Sequence, residues 1–269
     1  MYSFRALRET GAQQLAECFN QAFSDYEQNI CFTPESLRYY LTASGVDLSV
    51  SFGAFYQDQL VGFILNSGGM YQEQRVVFDA GTGVIPEHRG KKVFSRLFAY
   101  TVQQLKQQKI ARYYLEVLQS NRHAVSIYSK KGFSIQREYD VLVASGAGTG
   151  GDGAVAAVPY EAFHAFETPF SVVPSFEHTS YMIDKNPQLY EVLYLNDQAY
   201  CIYAKRNGEI IQLHYHTLSA LKEVMSALIC RYPAAMAKNI DSGCCDVIQM
   251  LRQIGFTELL KQYEMARDI

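Results

Sequence analysis

Thr82-Gly83-Val84-Ile85-Pro86-Glu87-His88-Arg89-Gly90-Lys91-Lys92-Val93-Phe94 reads as an apolar strand end, a short basic turn and the start of a helix. A strand that feeds a helix through such a turn aims backbone N–H groups at one point, and the helix dipole adds partial positive charge there. That geometry suits a diphosphate. Downstream, Asn121 through Ala124 to Tyr128 and Gly132-Phe133 adds a second strand–helix–strand passage.

Outward from that core the chain alternates helical and strand patterns. Gly11–Phe23 carries Leu15, Cys18, Phe19, Ala22 and Phe23 at helical spacing, and Thr33 caps a second helix over Pro34–Leu41. Ser49–Tyr56 and Leu60–Ser67 form a hairpin through Gln57-Asp58-Gln59, and Arg75–Ile85 is the next strand. The helix Val93–Gln108 turns Phe94, Leu97, Phe98, Val102 and Leu105 inward. Strand Tyr113–Leu118, helix Ala124–Lys130 and strand Phe133–Val143 follow. The order predicts an α+β domain with a mixed central sheet flanked by helices.

The two passages, in this order, resemble the signatures of the GNAT N-acetyltransferase superfamily, a turn of the form Arg-x-x-Gly-x-Gly/Ala and a later Asn-x-x-Ala with Tyr-x-Lys-x-Gly-Phe. The resemblance covers roughly the first half of the chain. It implies acetyl-CoA as co-substrate, with Val84 and Ile85 pairing along the pantetheine arm and one of their N–H groups polarising the thioester carbonyl. Arg89, Gly90, Lys91, Lys92, Val93 and Phe94 would hold the diphosphate, and Asn121 would cap its helix or contact the CoA arm. Tyr128 would protonate the leaving thiolate. Lys92 and Phe94 stand where the family usually has Gly and Gly/Ala, which removes a close backbone approach and adds a cation.

Glu116 alternates with Leu115 and Val117 on its strand and is the leading candidate for the general base, with Asp79 behind it. His88 and His123 read as exposed turn residues. His214-Tyr215-His216 puts two imidazoles on one strand face without a third ligand, so it reads as a surface pair and no metal is expected.

From Ala144 to Val158 the chain is rich in glycine and alanine and reads as an exposed linker. Gly146, Gly148 and Gly151 match a dinucleotide fingerprint formally, but Pro159 arrives before any helix can open. The second half then repeats the order of the first. Tyr190–Leu195 and Ala199–Lys205 form a hairpin, Asn207-Gly208 turns into Glu209–His216, and Thr217 caps a helix to about Cys230. Ala234–Ile240 reads as a strand, Cys244–Ile254 as a helix, and Gly255-Phe256 opens the last strand. Leu251 stands in the place of Tyr128 and Cys244 in the place of Asn121, so this copy lacks the chemical residues. The expected organisation is a GNAT acetyltransferase domain over 1–143, a linker over 144–159 and a smaller, degenerate GNAT-like α/β domain over 160–269.

Composition narrows the partners. Of 269 residues, 48% are hydrophobic and 19% charged, and the net charge is −3, so no broad basic surface points to nucleic acid. No apolar run approaches the roughly 18 residues of a membrane span. The start Met1-Tyr-Ser-Phe-Arg5 lacks a signal h-region, and six cysteines show no zinc or Cys-x-x-Cys spacing. Cys244 and Cys245 read as small residues at a helix start. A reduced, cytoplasmic protein is expected.

The acceptor is then expected to be a small-molecule or peptide-like amine, its cleft walled by Phe23, Tyr26, Phe32, Tyr39 and Tyr40. Packing of the two halves within one chain and across a homodimer are both open. A non-catalytic acyl-CoA binder is the competing expectation, resting on Lys92 and Phe94.

Overall fold

The computed structural model describes residues 1–25, 31–71, 73–146, 155–163 and 171–269. Tyr26, Gly148 and Gly151, which figure in the expectations above, lie outside the described residues. Contacts group the chain into two compact units, one of Met1–Leu115 with Ala266–Ile269 and one of Glu116–Met265.

The first unit runs β1 (Tyr2–Ala6), α1 (Ala12–Ala22), α2 (Pro34–Ala43), β2 (Phe52–Tyr56), β3 (Gln59–Tyr71), β4 (Gln74–Val84), α3 (Val93–Gln107) and the start of β5 (Arg112–Leu118). Its strands lie in that order, antiparallel except for the parallel pair β4–β5. Thr33 caps α2 through a reciprocal box with Ser36, as the Thr33-Pro34 pair implies. Gln57 and Asp58 take φ of 50° and 61°, the left-handed pair that a tight hairpin between twisted strands requires. Phe19 stacks on Phe63, with ring centroids 5.1 Å apart, which seats α1 on the sheet. The edge strand β1 was not among the expectations.

Gly83 explains how closely α1 lies. A Cβ built there would stand 2.9 Å from the Ala22 Cβ and 2.9 Å from the Phe63 ring. Gly83→Ala is therefore expected to destabilise the fold by about 1–3 kcal/mol, read as a lower midpoint in urea unfolding.

The second unit takes the end of β5, then α4 (Arg122–Lys130), β6 (Ser134–Ala144), β7 (Ala156–Pro159), α5 (Ser180–Ile183), β8 (Tyr190–Leu195), β9 (Ala199–Ala204) and β10 (Ile210–Tyr215). It closes with α6 (Leu218–Arg231), β11 (Met236–Asp241), α7 (Cys245–Gln253) and β12 (Phe256–Asp268). Its strand order is β5-β12-β6-β11-β10-β9-β8-β7, with β10–β11 parallel across the α6 crossover. Leu221, Val224, Met225, Leu228, Leu251 and Phe256 pack with Leu193, Tyr203 and Leu213 in the core of one sheet face. Part of the expected linker is ordered, because Ala156–Pro159 pairs antiparallel with Glu191–Tyr194 of β8. The small side chains give no pattern there, and backbone pairing makes the strand.

The internal repeat is visible in local geometry. Helices α4 and α7 both have nine residues, and their N-caps Asn121 and Cys244 take φ of −81° with ψ of 65° and 58°. Each helix is followed by a glycine at positive φ, Gly132 (87°) and Gly255 (101°), before the chain enters a strand.

Candidate active site

In the first unit the chemistry-bearing stretch begins at a bulge. Asp79 pairs with Asn66 and Gly81 with Leu65, so Ala80 is the extra residue on β4. The Asp79 carboxylate accepts from the Gly81 N–H at 3.0 Å and the Thr82 hydroxyl at 2.7 Å, while Tyr40 donates to the Ala80 carbonyl. Asp79 thus holds the bulge. Pairing of β4 with β5 extends to Asp79↔Leu115, and β4 continues to Val84 beyond it.

Ile85 donates its N–H to the Val61 carbonyl at 3.0 Å. In an antiparallel pair adjacent residues alternate, so Val84, opposite Gly62, turns its N–H and C=O to the other edge. Of the two strand-end residues, Val84 is the one whose amide faces away from β3.

Pro86 starts a single 3-10 turn, Pro86–His88, and Arg89 follows. The Arg89 guanidinium donates to the Val84 carbonyl (3.0 Å), the Ala22 carbonyl (2.8 Å) and both oxygens of Asp25 (2.5 and 3.1 Å). It ties the end of α1 to the end of β4, and its hydrogen bonds hold the Asp25 carboxyl below the usual carboxylate range. The Arg89 N–H goes to the Pro86 carbonyl.

Gly90 takes φ of 72° with open space where a Cβ would be, and Lys92 takes φ of 59° as the N-cap of α3. The N–H groups of Gly90, Lys91 and Lys92 donate to no described residue, and no side chain caps α3. The first backbone bond into the helix is Arg96 N–H to Lys92 C=O, so the amides of the first turn lie outside the helical ladder. Val93 is buried, and Phe94 is half-buried with its ring 5.8 Å from that of Phe98. The turn thus leaves backbone N–H groups without a described partner beside two exposed lysines, a combination whose chemistry suits an anion.

Lys92 occupies a left-handed conformation that glycine adopts without cost. Lys92→Gly is expected to stabilise the fold by about 1 kcal/mol, seen as a rise of roughly 2–4 °C in Tm.

His88 differs from its expected role. It is half-buried, with Nδ1 2.7 Å from the Tyr2 hydroxyl and its ring against Tyr56. Burial lowers its pKa, Lys91 adds to that and Glu87 opposes it. His123 is exposed on α4. His214 is not on the surface, because at 3% exposure it stacks on Tyr200 with Nδ1 3.3 Å from the Ser171 hydroxyl. Cys244 is half-buried and Cys245 exposed at the α7 start. Among the described residues no group of three or more His, Cys, Asp or Glu could hold a metal ion, and no helix is long and apolar enough to cross a membrane.

The second unit holds Asn121, Tyr128 and Glu116. Asn121 accepts from the Ala124 N–H at 3.0 Å and so caps α4. Tyr128 is half-buried, its ring edge-on to Phe133 at 5.6 Å. Its carbonyl accepts from the Lys131 and Phe133 N–H groups, which closes the helix at Gly132. No residue of α4 is fully buried.

Glu116 faces a polar layer that no sequence signal had marked. Glu264 (β12) accepts from the Arg137 guanidinium at 3.0 and 2.9 Å and from the Tyr139 hydroxyl at 2.9 Å. Lys238 (β11) donates to Glu177 at 2.6 Å. Burial pushes the Glu116 carboxyl up to about 7, with Lys238 opposing and Glu177 and Glu264 adding to the rise. Burial works against the Lys238 charge, yet Glu177, Glu116 and Glu209 hold its pKa above the ordinary lysine value.

The Acetyltransferase (GNAT) family model matches residues 12–133. No curated protein sequence matches the chain. Solved structures of similar fold include a candidate acetyltransferase of Pyrococcus horikoshii, with a TM-score of 0.71, 12% identity and coverage of 100% of this chain and 89% of that one. A GCN5-related N-acetyltransferase of Sphaerobacter thermophilus gives 0.64, 13%, and 99% and 95% coverage. The glucosamine N-acetyltransferase region of a fungal multi-domain GH3 β-N-acetylglucosaminidase gives 0.68, 11%, and 99% and 38%. The likeness of fold therefore extends over essentially the whole chain.

Proposed function

We propose that the protein, whose residues 12–133 match the Acetyltransferase (GNAT) family model, transfers an acetyl group from acetyl-CoA directly to a primary amine of a small-molecule or peptide-like acceptor. The observation that carries this reading is the uncapped start of α3 behind the Gly90–Lys92 turn, which supplies amides without a described partner, a helix dipole and two exposed lysines within one short segment. In this reading the 1–143 segment is the catalytic domain and 160–269 its degenerate companion. The setting is cytoplasmic, with Cys18 and Cys201 serving as buried apolar residues.

The roles join what the family resemblance implies for Val84 and Tyr128 to the needs of acyl transfer. The Val84 N–H stabilises negative charge on the thioester oxygen as the amine adds. Glu116 accepts a proton from the ammonium, the amine nitrogen bonds to the acetyl carbon, and the C–S bond breaks. Tyr128 then protonates the departing thiolate, and the surplus proton on the new amide nitrogen is lost through solvent and restores the phenol. Asn121 holds the start of the helix that carries Tyr128.

Acetyl-CoA is expected to raise Tm, inorganic pyrophosphate to compete with it, and combined Lys91→Ala and Lys92→Ala replacement to weaken the effect. Release of CoA thiol is then followed with benzylamine, glucosamine and a dipeptide with a free amino terminus. Glucosamine belongs in the set because one structural neighbour is described as acting on it. No thermal shift with acetyl-CoA would refute the reading. A non-catalytic acyl-CoA binder is the second reading, favoured by the left-handed Lys92 in a glycine position and by the Arg89 guanidinium held on Asp25.

A further inference from the structure

Arg89 belongs by its place in the chain to the turn before α3, yet its side chain folds back onto the protein. Nε donates to the Val84 carbonyl at 3.0 Å and Nη2 to the Ala22 carbonyl at 2.8 Å. Nη1 and Nη2 also donate to the two oxygens of Asp25, at 2.5 and 3.1 Å. The Arg89 and Asp25 side chains are 40% and 53% exposed. Ion pairs this open to water add little to stability, because solvent screens the attraction and two long side chains lose freedom. A planar guanidinium with its fork on a carboxylate does, however, have a fixed orientation, which a point charge lacks.

The group so held is the peptide that follows Val84. Opposite Gly62, Val84 turns its N–H and C=O away from β3, and the β4–β5 pairing reaches only to Asp79. Among the described residues, no strand ladder on that edge fixes the Val84 peptide groups. Helix α1 fixes them instead, at two points. A Cβ on Gly83 would stand 2.9 Å from that of Ala22, so the helix end lies directly on the strand, and Arg89 joins the Ala22 and Val84 carbonyls one residue further on.

We propose that Asp25 and Arg89 act together as positioning residues, Asp25 orienting the guanidinium and the guanidinium holding the Val84 carbonyl, so that the Val84 N–H is fixed where it meets the thioester oxygen. This rests on the acetyl-transfer reading, which gives the Val84 N–H its role, and it adds Asp25, which no sequence signal had marked. A donor that stabilises developing negative charge does so only when it is held in place before the reaction. A misplacement of about 1 Å costs on the order of a hundredfold in rate. The same contacts keep the Arg89 side chain off the diphosphate, which is left to the backbone amides of the turn and to Lys91 and Lys92.

Asp25→Asn separates these two roles of the arginine, because it leaves Arg89 in the chain and removes only the charge that orients it. With whichever of benzylamine, glucosamine or the dipeptide turns over, this variant is expected to lower kcat about tenfold. KM for acetyl-CoA should stay within a few-fold of the parent, and the urea midpoint should not move. Asp25→Glu, which restores the carboxylate, should recover most of the loss. Arg89→Lys keeps the charge but cannot reach a carboxylate and two carbonyls in one plane, so it should lose at least as much. Adding Asp25→Asn to it should lower kcat no further. Unchanged kcat in Asp25→Asn overturns the clamp. So does a fall in kcat matched by a lower urea midpoint, which would make the pair a support of the fold alone. A raised acetyl-CoA KM with unchanged kcat in Arg89→Lys also overturns it, since Arg89 would then be a ligand of the diphosphate. If the parent protein releases no CoA thiol with any of the amines, acetyl transfer itself fails and the clamp falls with it, whereas turnover in the parent lets the variants judge the clamp alone.

Discussion

Replacing Tyr128 with phenylalanine is expected to lower kcat by about a hundredfold or more while leaving acetyl-CoA binding and Tm within error of the parent. The magnitude is that of a lost general acid. A thiolate leaving at neutral pH needs a proton at the moment the C–S bond breaks, and a phenol O–H can supply it to the sulfur. Stability should change little, because two contacts that fix the residue do not involve its hydroxyl. The ring lies edge-on to Phe133, and the backbone carbonyl takes the two N–H groups that end α4. Phenylalanine keeps both.

The measurement is steady-state thiol release from acetyl-CoA with the best amine, alongside calorimetric titration of CoA. Equal turnover in parent and variant would remove Tyr128 from the chemistry. Binding of acetyl-CoA without turnover in either protein would favour the acyl-CoA binder. A large loss of CoA affinity would instead make Tyr128 a binding residue, contrary to the role assigned here.

Local signals account for what was legible in the chain. The strand end, Pro86, the glycine at 90 and the apolar spacing of α3 are neighbours in sequence, so the turn and the helix start could be drawn from them. The same holds for Thr33, Asn121 and Thr217, each of which accepts from a backbone N–H three residues on. Strand β1 escaped because Tyr2–Ala6 is short and alternates only between half-exposed and exposed positions. On α3 the buried polar Thr101, not Val102, completes the inner face, which hydrophobicity alone could not show. The pairing of Arg89 with Asp25 had no local signal, because the two lie 64 residues apart in sequence. Glu116 was recognised as a strand carboxylate, but its neighbours Glu177, Lys238, Asn239 and Glu264 come from distant elements. The β11 bulge that carries Lys238 and Asn239 falls inside a run, Ala234–Ile240, that reads as an ordinary strand.

Glu116→Gln is the second large effect, and it has two readouts that separate catalysis from burial. As general base Glu116 must be ionised, so kcat/KM of the parent should rise with pH through about 7, where burial has moved its carboxyl. The glutamine variant should lose about a hundredfold or more above that pH, and its profile should no longer show the limb. Stability moves the opposite way. A carboxyl whose folded pKa is raised contributes fully below its unfolded value, near 4.5, and that contribution is lost as pH rises through about 7. The parent should therefore unfold more easily at pH 8 than at pH 5, by an amount on the order of 1–2 kcal/mol once partial solvent access is allowed for. Glutamine carries no charge to bury, so the variant should lack this slope and match or exceed the parent at pH 8. Urea midpoints at the two pH values measure this without any substrate. If the stability slope disappears and turnover survives, Glu116 is a buried acid whose proton has no part in acetyl transfer, and the base lies elsewhere. If the slope is the same in both proteins, ionisation of Glu116 is not coupled to folding, and burial does not hold its carboxyl above the ordinary range.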